Sequence, residues 1–168
     1  KVNFDTKKHV VFKIDKKLNS NEKYKKYQID SAISYVRRNI AISEQLGDEI
    51  RQDESKLMLA SLLSAGGKFV ESRDILDRLQ EKQIAPLLFG EYYRVQSTFY
   101  SQYGLSSNNL LLFQKSELYR DYMLAVLDTT SLDYQIAWIT KKVYEKNFDA
   151  VLPLLHHLCE VLDDNQED

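Results

Sequence analysis

Apolar helical runs in this chain recur about every 40 residues, and this period constrains the fold more than any other feature. The residues that open every second run are spaced by 40, 40 and 39 positions: Ile29, Phe69, Asn109 and Phe148. Two phrases, 67–72 and 146–151, also resemble each other, and each follows one apolar run and opens another. A fixed period of roughly 20–50 residues is typical of arrays in which small units stack on their neighbours. The chain is therefore expected to form stacked helical hairpins.

The runs have a helical rather than an extended pattern. Only two Pro and five Gly occur among 168 residues, and strict alternation of apolar and polar residues is absent over any useful length. We predict an all-α fold, a right-handed α-solenoid of about four helical hairpins, in which residues 1–168 form a single repeat domain cut from a longer protein. The period exceeds the roughly 34 residues of the tetratricopeptide repeat, so slightly lengthened helix pairs are expected.

Turn and cap residues divide the chain into elements. The predicted helices span about 6–26, 30–46, 53–65, 69–82, 88–103 and 110–127, two more follow Ser131 and Asn147, and 104–109 is a predicted loop. Gly47 is expected in the left-handed position that ends a helix, and Gly66–Gly67 in a turn. Pro86 interrupts the pattern, and Ser131 or Thr130 caps the following helix. The predicted inward-facing stripes are Leu59, Leu62 and Leu63; Tyr92, Val95, Phe99 and Tyr103; and Ile136, Ile139 and Val143.

The charge distribution argues against direct nucleic-acid binding by this segment. The net charge is −2 and the pI is about 6.0, whereas non-specific affinity for nucleic acid comes largely from Lys and Arg that neutralise phosphates. Residues 1–28 carry nine Lys, the tail from Glu160 onward is acidic, and both are expected to be solvated. There is no leader pattern and no apolar run of about 18 residues, so the chain as given is expected neither to span a membrane nor to carry a signal peptide. It begins at Lys1 without Met, which is compatible with a removed leader or a longer parent protein.

Residues able to catalyse a reaction or bind metal are sparse. His156, His157 and Cys159 are of the types that bind zinc, but their spacing does not supply the four ligands of a structural site. Cys159 is the single cysteine, so an internal disulfide is excluded. Residues 66–68 lack the rest of a phosphate-binding loop, and no Gly-x-Ser-x-Gly motif occurs. We predict no enzyme, no catalytic or metal site and no cofactor, with a hydrolase the least favoured class.

Aromatic residues provide the candidate binding surface. The chain has eleven Tyr and one Trp, whose amphipathic rings suit interfaces. First helices line the concave side of a solenoid, so off-stripe residues of two such helices are expected to converge on one groove. The predicted groove residues are Tyr93, Arg94, Ser97, Tyr100, Tyr134, Trp138 and Lys141. The alternative, which the sequence leaves open, is that these rings fill the space between neighbouring hairpins or, for Trp138, cover a following repeat.

Small and aromatic residues at recurring positions resemble those of tetratricopeptide repeats: Ala32 or Ser72 inside a second helix, and Phe69 or Phe148 opening it. Three phrases resemble the N-terminal region of membrane-tethered bacterial transcriptional regulators: 27–32 (Tyr-Gln-Ile-Asp-Ser-Ala), 116–121 (Ser-Glu-Leu-Tyr-Arg-Asp) and 127–131 (Leu-Asp-Thr-Thr-Ser). In that family a periplasmic repeat domain precedes a membrane helix, a coiled coil and a cytoplasmic helix-turn-helix. The resemblance covers about residues 24–160 and implies architecture without any catalytic residue or ligand contact.

The resemblance implies a non-catalytic sensor module at the periplasmic face of the inner membrane. Its partner would be a protein, a peptide or a small-molecule ligand, and it would meet the membrane only through other parts of the full-length protein. The alternative is a cytoplasmic scaffold that joins proteins through the basic N-terminal helix and the acidic tail. An upstream leader and a downstream apolar span of about 20 residues would favour the sensor.

Overall fold

The computed structural model describes residues 28–153 of the chain. Every regular element within those residues is a helix and none is a strand, so the all-α prediction is confirmed. The helix predicted over 6–26, the basic N-terminal stretch, the acidic tail and the residues His156, His157 and Cys159 lie outside the described range. The helix expected after Asn147 is described only as far as residue 153.

Seven α-helices and two short 3-10 turns occupy the described residues. The α-helices are α1 (28–46), α2 (Glu49–Ala65), α3 (Phe69–Arg78), α4 (Phe89–Ser107), α5 (Leu110–Val126), α6 (Leu132–Tyr144) and α7 (148–153). The 3-10 turns span Glu81–Gln83 and Pro86–Leu88 and connect α3 to α4.

Three predicted boundaries differ from the structure. Helix α2 begins earlier, because the Asp48 carboxylate caps it by accepting from the Arg51 amide at 3.0 Å. Helix α3 ends at Arg78 rather than near residue 82. The backbone is already extended at Gln80, just before the first 3-10 turn. The predicted loop over 104–109 is wrong for its first four residues, because α4 continues to Ser107. The predicted Ser131 cap is confirmed, since its hydroxyl accepts from the Tyr134 amide at 3.2 Å.

Four helices end in the same turn geometry. A residue with positive φ follows each of α1, α2, α4 and α6: Gly47 (67°), Gly67 (74°), Asn108 (50°) and Lys146 (58°). In every case the next amide donates to the carbonyl five residues before it, at 2.8–3.0 Å, which is the Schellman arrangement. The last three turns join α2 to α3, α4 to α5 and α6 to α7. The repeat in the sequence therefore corresponds to a repeated turn.

The Cα atoms cluster into two compact units, one through Arg78 and one from Leu79. In the first unit, α1 and α2 share a core cluster of Ile33, Val36, Leu59 and Leu63, with Leu62 packed against it, so the predicted stripe is confirmed. Helix α3 packs on α2 through a fully buried serine, because the Ser72 hydroxyl donates to the Ala60 carbonyl at 2.8 Å. A small side chain at this position allows the two helices to approach closely.

In the second unit, α4 and α5 form an antiparallel hairpin with a seam of small residues. The Ser116 hydroxyl donates to the Ser97 carbonyl at 2.8 Å, and both serines are buried. A Cβ added at Gly104 would lie 3.2 Å from the Leu112 Cβ, which is closer than ordinary carbon contacts. Glycine at 104 therefore permits the close approach of α5 to the last turns of α4.

The predicted apolar stripes of this unit are only partly realised. Helix α4 buries Tyr92, Val95 and Phe99 as expected. Helix α6 does not follow its predicted stripe, because Ile136 and Val143 are about half exposed, whereas Ala137 is buried. Ala137 is the one residue of α6 that is fully buried; of its two larger neighbours, Ile136 is exposed and Trp138 is partly buried.

Candidate functional site

A cleft of about 250 Å³ opens between α4, α5 and α6. It lies within the second unit, and all three helices contribute side chains. The lining residues are Arg94, Ser97, Thr98, Arg120, Met123, Asp133, Ile136, Ala137 and Thr140. Its volume is below the roughly 300–1,000 Å³ of sites for drug-sized ligands, so it suits a small molecule or one side chain of a partner.

Two arginines in the cleft are each held by a glutamate three residues earlier on the same helix. Arg94 donates through Nε and Nη2 to the two carboxylate oxygens of Glu91 at 2.6 and 2.5 Å. Arg120 donates through Nε alone to both carboxylate oxygens of Glu117 at 3.2 Å. The side chains of Arg120 and Glu117 are only 14% and 18% exposed, so this ion pair lies mostly away from water. Both guanidinium groups are therefore already ion-paired in the absence of a ligand.

Asp133 supplies the carboxylate of the cleft from the first turn of α6. The hydrogen bonds that Arg94 donates to Glu91 raise the pKa of Arg94 most, and the nearby charges of Glu91 and Asp133 raise it further against the opposing effect of burial. Asp133 is thus close enough to act on Arg94 electrostatically. Among the described residues, however, its side chain has no hydrogen bond or ion pair.

The remaining walls combine hydroxyl groups with apolar surface. Met123 and Ala137 are buried, and Ser97 lies beside them with its hydroxyl 3.2 Å from that of Ser116. Thr140 stands at the rim and donates its hydroxyl to the Ile136 carbonyl at 2.7 Å. This arrangement of two guanidinium groups, one carboxylate, hydroxyls and an apolar floor is suited to binding a small polar ligand.

The structure brings only Arg94 and Ser97 of the predicted groove residues into this cleft. The prediction that Tyr93 and Tyr100 offer open surface is wrong, because each is only 6% exposed. Ser97 is also buried at the cleft wall rather than on an open face. Both rings pack against α5 within the α4–α5 hairpin, whereas the alternative interpretation of the sequence places such rings between neighbouring hairpins.

Tyr93 and Tyr100 belong to an aromatic cluster where α4 packs on α5. Tyr100 stacks on Tyr119 with ring centroids 5.6 Å apart and planes at 4°. The Tyr93 hydroxyl donates to the Glu81 carboxylate at 2.6 Å, and its pKa is raised by burial first and then by that carboxylate. Burial, with the neighbouring tyrosines and Glu81, raises the pKa of Tyr119 to about 12. The Lys115 ammonium group lies over the Tyr100 ring, with Nζ 4.3 Å from the ring centroid. This cluster holds the hairpin together.

The three predicted residues of α6 do not line the cleft. Lys141 forms an ion pair with Asp121 of α5, and this hydrogen bond and charge raise the Lys141 pKa. Trp138 is partly buried, with Lys142 Nζ 5.8 Å from its ring centroid. Tyr134 is also partly buried. A role of these α6 residues in binding stays a prediction.

Most residues of the cleft were not predicted from the sequence, although one signal for them was present. Residues 91–94 read Glu-Tyr-Tyr-Arg and residues 117–120 read Glu-Leu-Tyr-Arg, so α4 and α5 share a Glu-x-Tyr-Arg motif. In both copies the Tyr joins the aromatic cluster and the Arg lines the cleft. Adjacent helical residues point about 100° apart, so one motif can serve two faces. The duplicated spacing would have identified Arg120 alongside Arg94.

A second cleft, of about 460 Å³, lies in the first unit between the end of α1 and the start of α2. Its lining residues are Asn39, Ile42, Ser43, Leu46, Asp48, Arg51, Glu54 and Ser55. The Arg51–Asp48 ion pair is open to water, and Asp48 already serves as the cap of α2. We favour the smaller cleft because its Arg120–Glu117 ion pair is better enclosed than the Arg51–Asp48 pair.

Within residues 28–153, His, Cys, Asp and Glu side chains do not gather in groups of three or more that suit a metal ion. None of the described helices has both the length and the apolar character needed to cross a bilayer.

Comparison with known proteins identifies the family. Residues 3–168 match the family described as the SusR N-terminal TPR domain, so the tetratricopeptide-like helical solenoid inferred from the sequence is confirmed. Neither a curated protein nor a solved structure matches the chain. TPR domains are generally non-catalytic modules that mediate protein interactions. The chain thus belongs to the family of SusR N-terminal TPR domains.

Proposed function

We propose that this domain is the periplasmic sensor part of a membrane-tethered transcriptional regulator, and that the cleft between α4, α5 and α6 is where it recognises its ligand or partner. The observation that supports the proposal is the match of residues 3–168 to a domain described as N-terminal. A domain of that description precedes other parts of a protein, which is the arrangement that the sequence resemblance implies.

The cleft supports a recognition role because binding there would connect separate helices. A ligand that contacts Arg94, Arg120 and Asp133 would touch α4, α5 and α6 at once. Helices α4 and α5 are already joined by the serine seam and the aromatic cluster, whereas α6 buries only Ala137. Binding would therefore favour one placement of α6 against the hairpin, and a ligand acts on a protein only through such a difference between states.

The location can be tested in the full-length protein. Ser106 is exposed near the end of α4 and can be changed to Cys after Cys159, the single cysteine of residues 1–168, and any cysteine in the rest of the full-length protein are changed to Ser. A membrane-impermeant maleimide should label this Ser106→Cys variant in spheroplasts without prior lysis. Labelling that requires lysis would reject the periplasmic location and favour the cytoplasmic scaffold.

The role of the cleft can be tested with two tryptophan substitutions on α6. Thr140→Trp places a large ring at the cleft rim, and Val143→Trp places the same ring on a half-exposed position that does not line the cleft. Thr140→Trp should abolish ligand-dependent transcription from the target promoter, and Val143→Trp should preserve it. Equal responses from two folded variants would reject the cleft as the recognition site.

A further inference from the structure

The polar groups of the α4–α5–α6 cleft carry both signs of charge and are arranged on different helices. The guanidinium groups come from α4 and α5, and the Asp133 carboxylate comes from α6. Each guanidinium is paired with the glutamate three residues before it, and neither guanidinium forms an ion pair with Asp133. The cleft is therefore divided into a donor side and an acceptor side.

The donor side retains unused hydrogen-bonding capacity. Arg120 binds Glu117 through Nε, and its two Nη groups donate to no described residue. Among the described residues, every buried side-chain nitrogen and oxygen has a hydrogen-bond partner. The two Nη atoms have no such partner, so they are not buried. They are therefore reachable by solvent, although the side chain as a whole is only 14% exposed. Paired guanidinium N–H groups match the two oxygens of a carboxylate.

The acceptor side is the Asp133 carboxylate, which is unpaired among the described residues and exposed. It would repel a ligand with only negative charge and would attract an ammonium group. A simple anion satisfies the arginines alone, and a simple cation satisfies Asp133 alone. A ligand with both charges matches both sides.

We propose that this cleft binds a small zwitterion of the α-amino acid class, with its carboxylate toward Arg120 and Arg94 and its ammonium group toward Asp133. The inference rests on the proposed function and specifies the ligand for the same cleft. The volume of about 250 Å³ equals the liquid volume of about eight water molecules, which accommodates a single amino acid. Met123, Ala137 and Ile136 offer apolar surface to its side chain.

The test uses leucine and two analogues that each lack one charge. N-acetylleucine removes the ammonium charge, and leucinamide removes the carboxylate. Binding to the folded domain is followed by chemical-shift changes of the Thr98, Ala137 and Thr140 amides, with dissociation constants from titration. Both analogues should bind at least about tenfold more weakly than leucine, because each loses a charge-assisted hydrogen bond.

Two matched variants assign the ammonium contact. Asp133 and Asp149 each stand second in a helix, after the capping residues Ser131 and Asn147. Asp133→Asn and Asp149→Asn therefore make the same change of charge at equivalent helix positions, but only the first lines the cleft. Asp133→Asn should weaken leucine about tenfold and should not weaken N-acetylleucine, from which it removes a repelling charge, whereas Asp149→Asn should change neither.

Three outcomes would overturn the inference: no binding of leucine at millimolar concentration, equal binding of leucine and N-acetylleucine, or equal effects of the two Asn variants. None of these affects the tryptophan test of the cleft. If Thr140→Trp abolishes signalling while leucine does not bind, the proposed function stands and the ligand class is wrong. If leucine binds in the cleft while Thr140→Trp leaves signalling intact, the ligand class stands and the signalling role is wrong.

Discussion

Gly66 and Gly67 are neighbours with opposite backbone requirements, so replacing each with Ala should have opposite effects on stability. Gly66 has φ of −81°, and an added Cβ would lie 3.4–3.5 Å from its nearest atoms, which is ordinary contact. Gly67 has φ of +74°, and an added Cβ would meet nothing within 4 Å. Gly67→Ala therefore changes the backbone preference without introducing a steric clash.

The expected magnitude follows from two terms. Replacing Gly by Ala restricts the unfolded chain, which stabilises the folded state by about 0.4–1 kcal/mol where the backbone is compatible. The left-handed conformation costs Ala about 1–2 kcal/mol. The first term is common to both variants and cancels in their difference. Gly66→Ala should therefore be neutral or stabilising, and Gly67→Ala should be less stable than it by about 1–2 kcal/mol.

Amide hydrogen exchange under native conditions measures this difference in stability for the part of the chain that contains the two glycines. The most protected amides of α2 and α3 report the free energy of opening for the part of the chain that contains the turn. Gly67→Asn serves as the control, because Asn accepts the left-handed conformation and should recover part of the loss. Equal protection in the two Ala variants would show that the turn between α2 and α3 does not require a left-handed residue.

Three further predictions concern packing and charge. Phe99→Ala should destabilise the protein by about 3–5 kcal/mol because the ring is 1% exposed, whereas Leu105→Ala, at 77% exposure, should stay within about 0.5 kcal/mol in urea unfolding. The pKa of Tyr119 is raised to about 12, so its contribution to stability is complete below the ordinary value of 10.0 and is lost as pH rises toward 12. Ultraviolet difference spectroscopy should show a late-ionising phenol that Tyr119→Phe removes. Lys141→Gln should cost less than about 1 kcal/mol, with the effect disappearing at high salt, because the ion pair with Asp121 is partly exposed.

The hairpin turns could be predicted from the sequence because their signals are local. Gly47 and Gly67 adopt the left-handed conformation at two helix ends without strain. A glycine after a helical run predicts such a turn from the local sequence alone. The turn at Lys146 has the same geometry without glycine, so only the repeat of phrase 67–72 at 146–151 indicates it. Asn108 is the intermediate case, since Asn tolerates the left-handed region.

The end of α3 could not be predicted because its signal is tertiary. Residues 79–82 continue a helical pattern in the sequence, yet the chain leaves the helix after Arg78 and buries Leu79 and Ile84 across two short turns. Helix propensity is a weak preference that such burial overrides. The same reason applies to α6, where Ala137 is buried while the larger Ile136 stays exposed.

The apolar stripe of α4 does not predict which of its other residues pack against neighbouring helices and which line the cleft. Tyr93 and Arg94 are adjacent, and both lie off the apolar stripe of α4, a position that predicts exposure to the groove for both. In the structure α4 has neighbours on more than one side, so the face with Tyr93, Ser97 and Tyr100 is enclosed by α5. Only Arg94, one position further round the helix, combines a long charged side chain with an opening.

The duplicated Glu-x-Tyr-Arg motif explains why packing and recognition can be combined so closely. In each copy the Glu fixes the Arg three residues later, and the Tyr between them anchors the same stretch of helix in the aromatic cluster. The guanidinium groups thus come from the α4–α5 hairpin, whereas Asp133 comes from α6, of which only Ala137 is fully buried. In the proposed binding mode, a ligand that joined the two sides would connect α6 to the hairpin and would so favour one placement of α6.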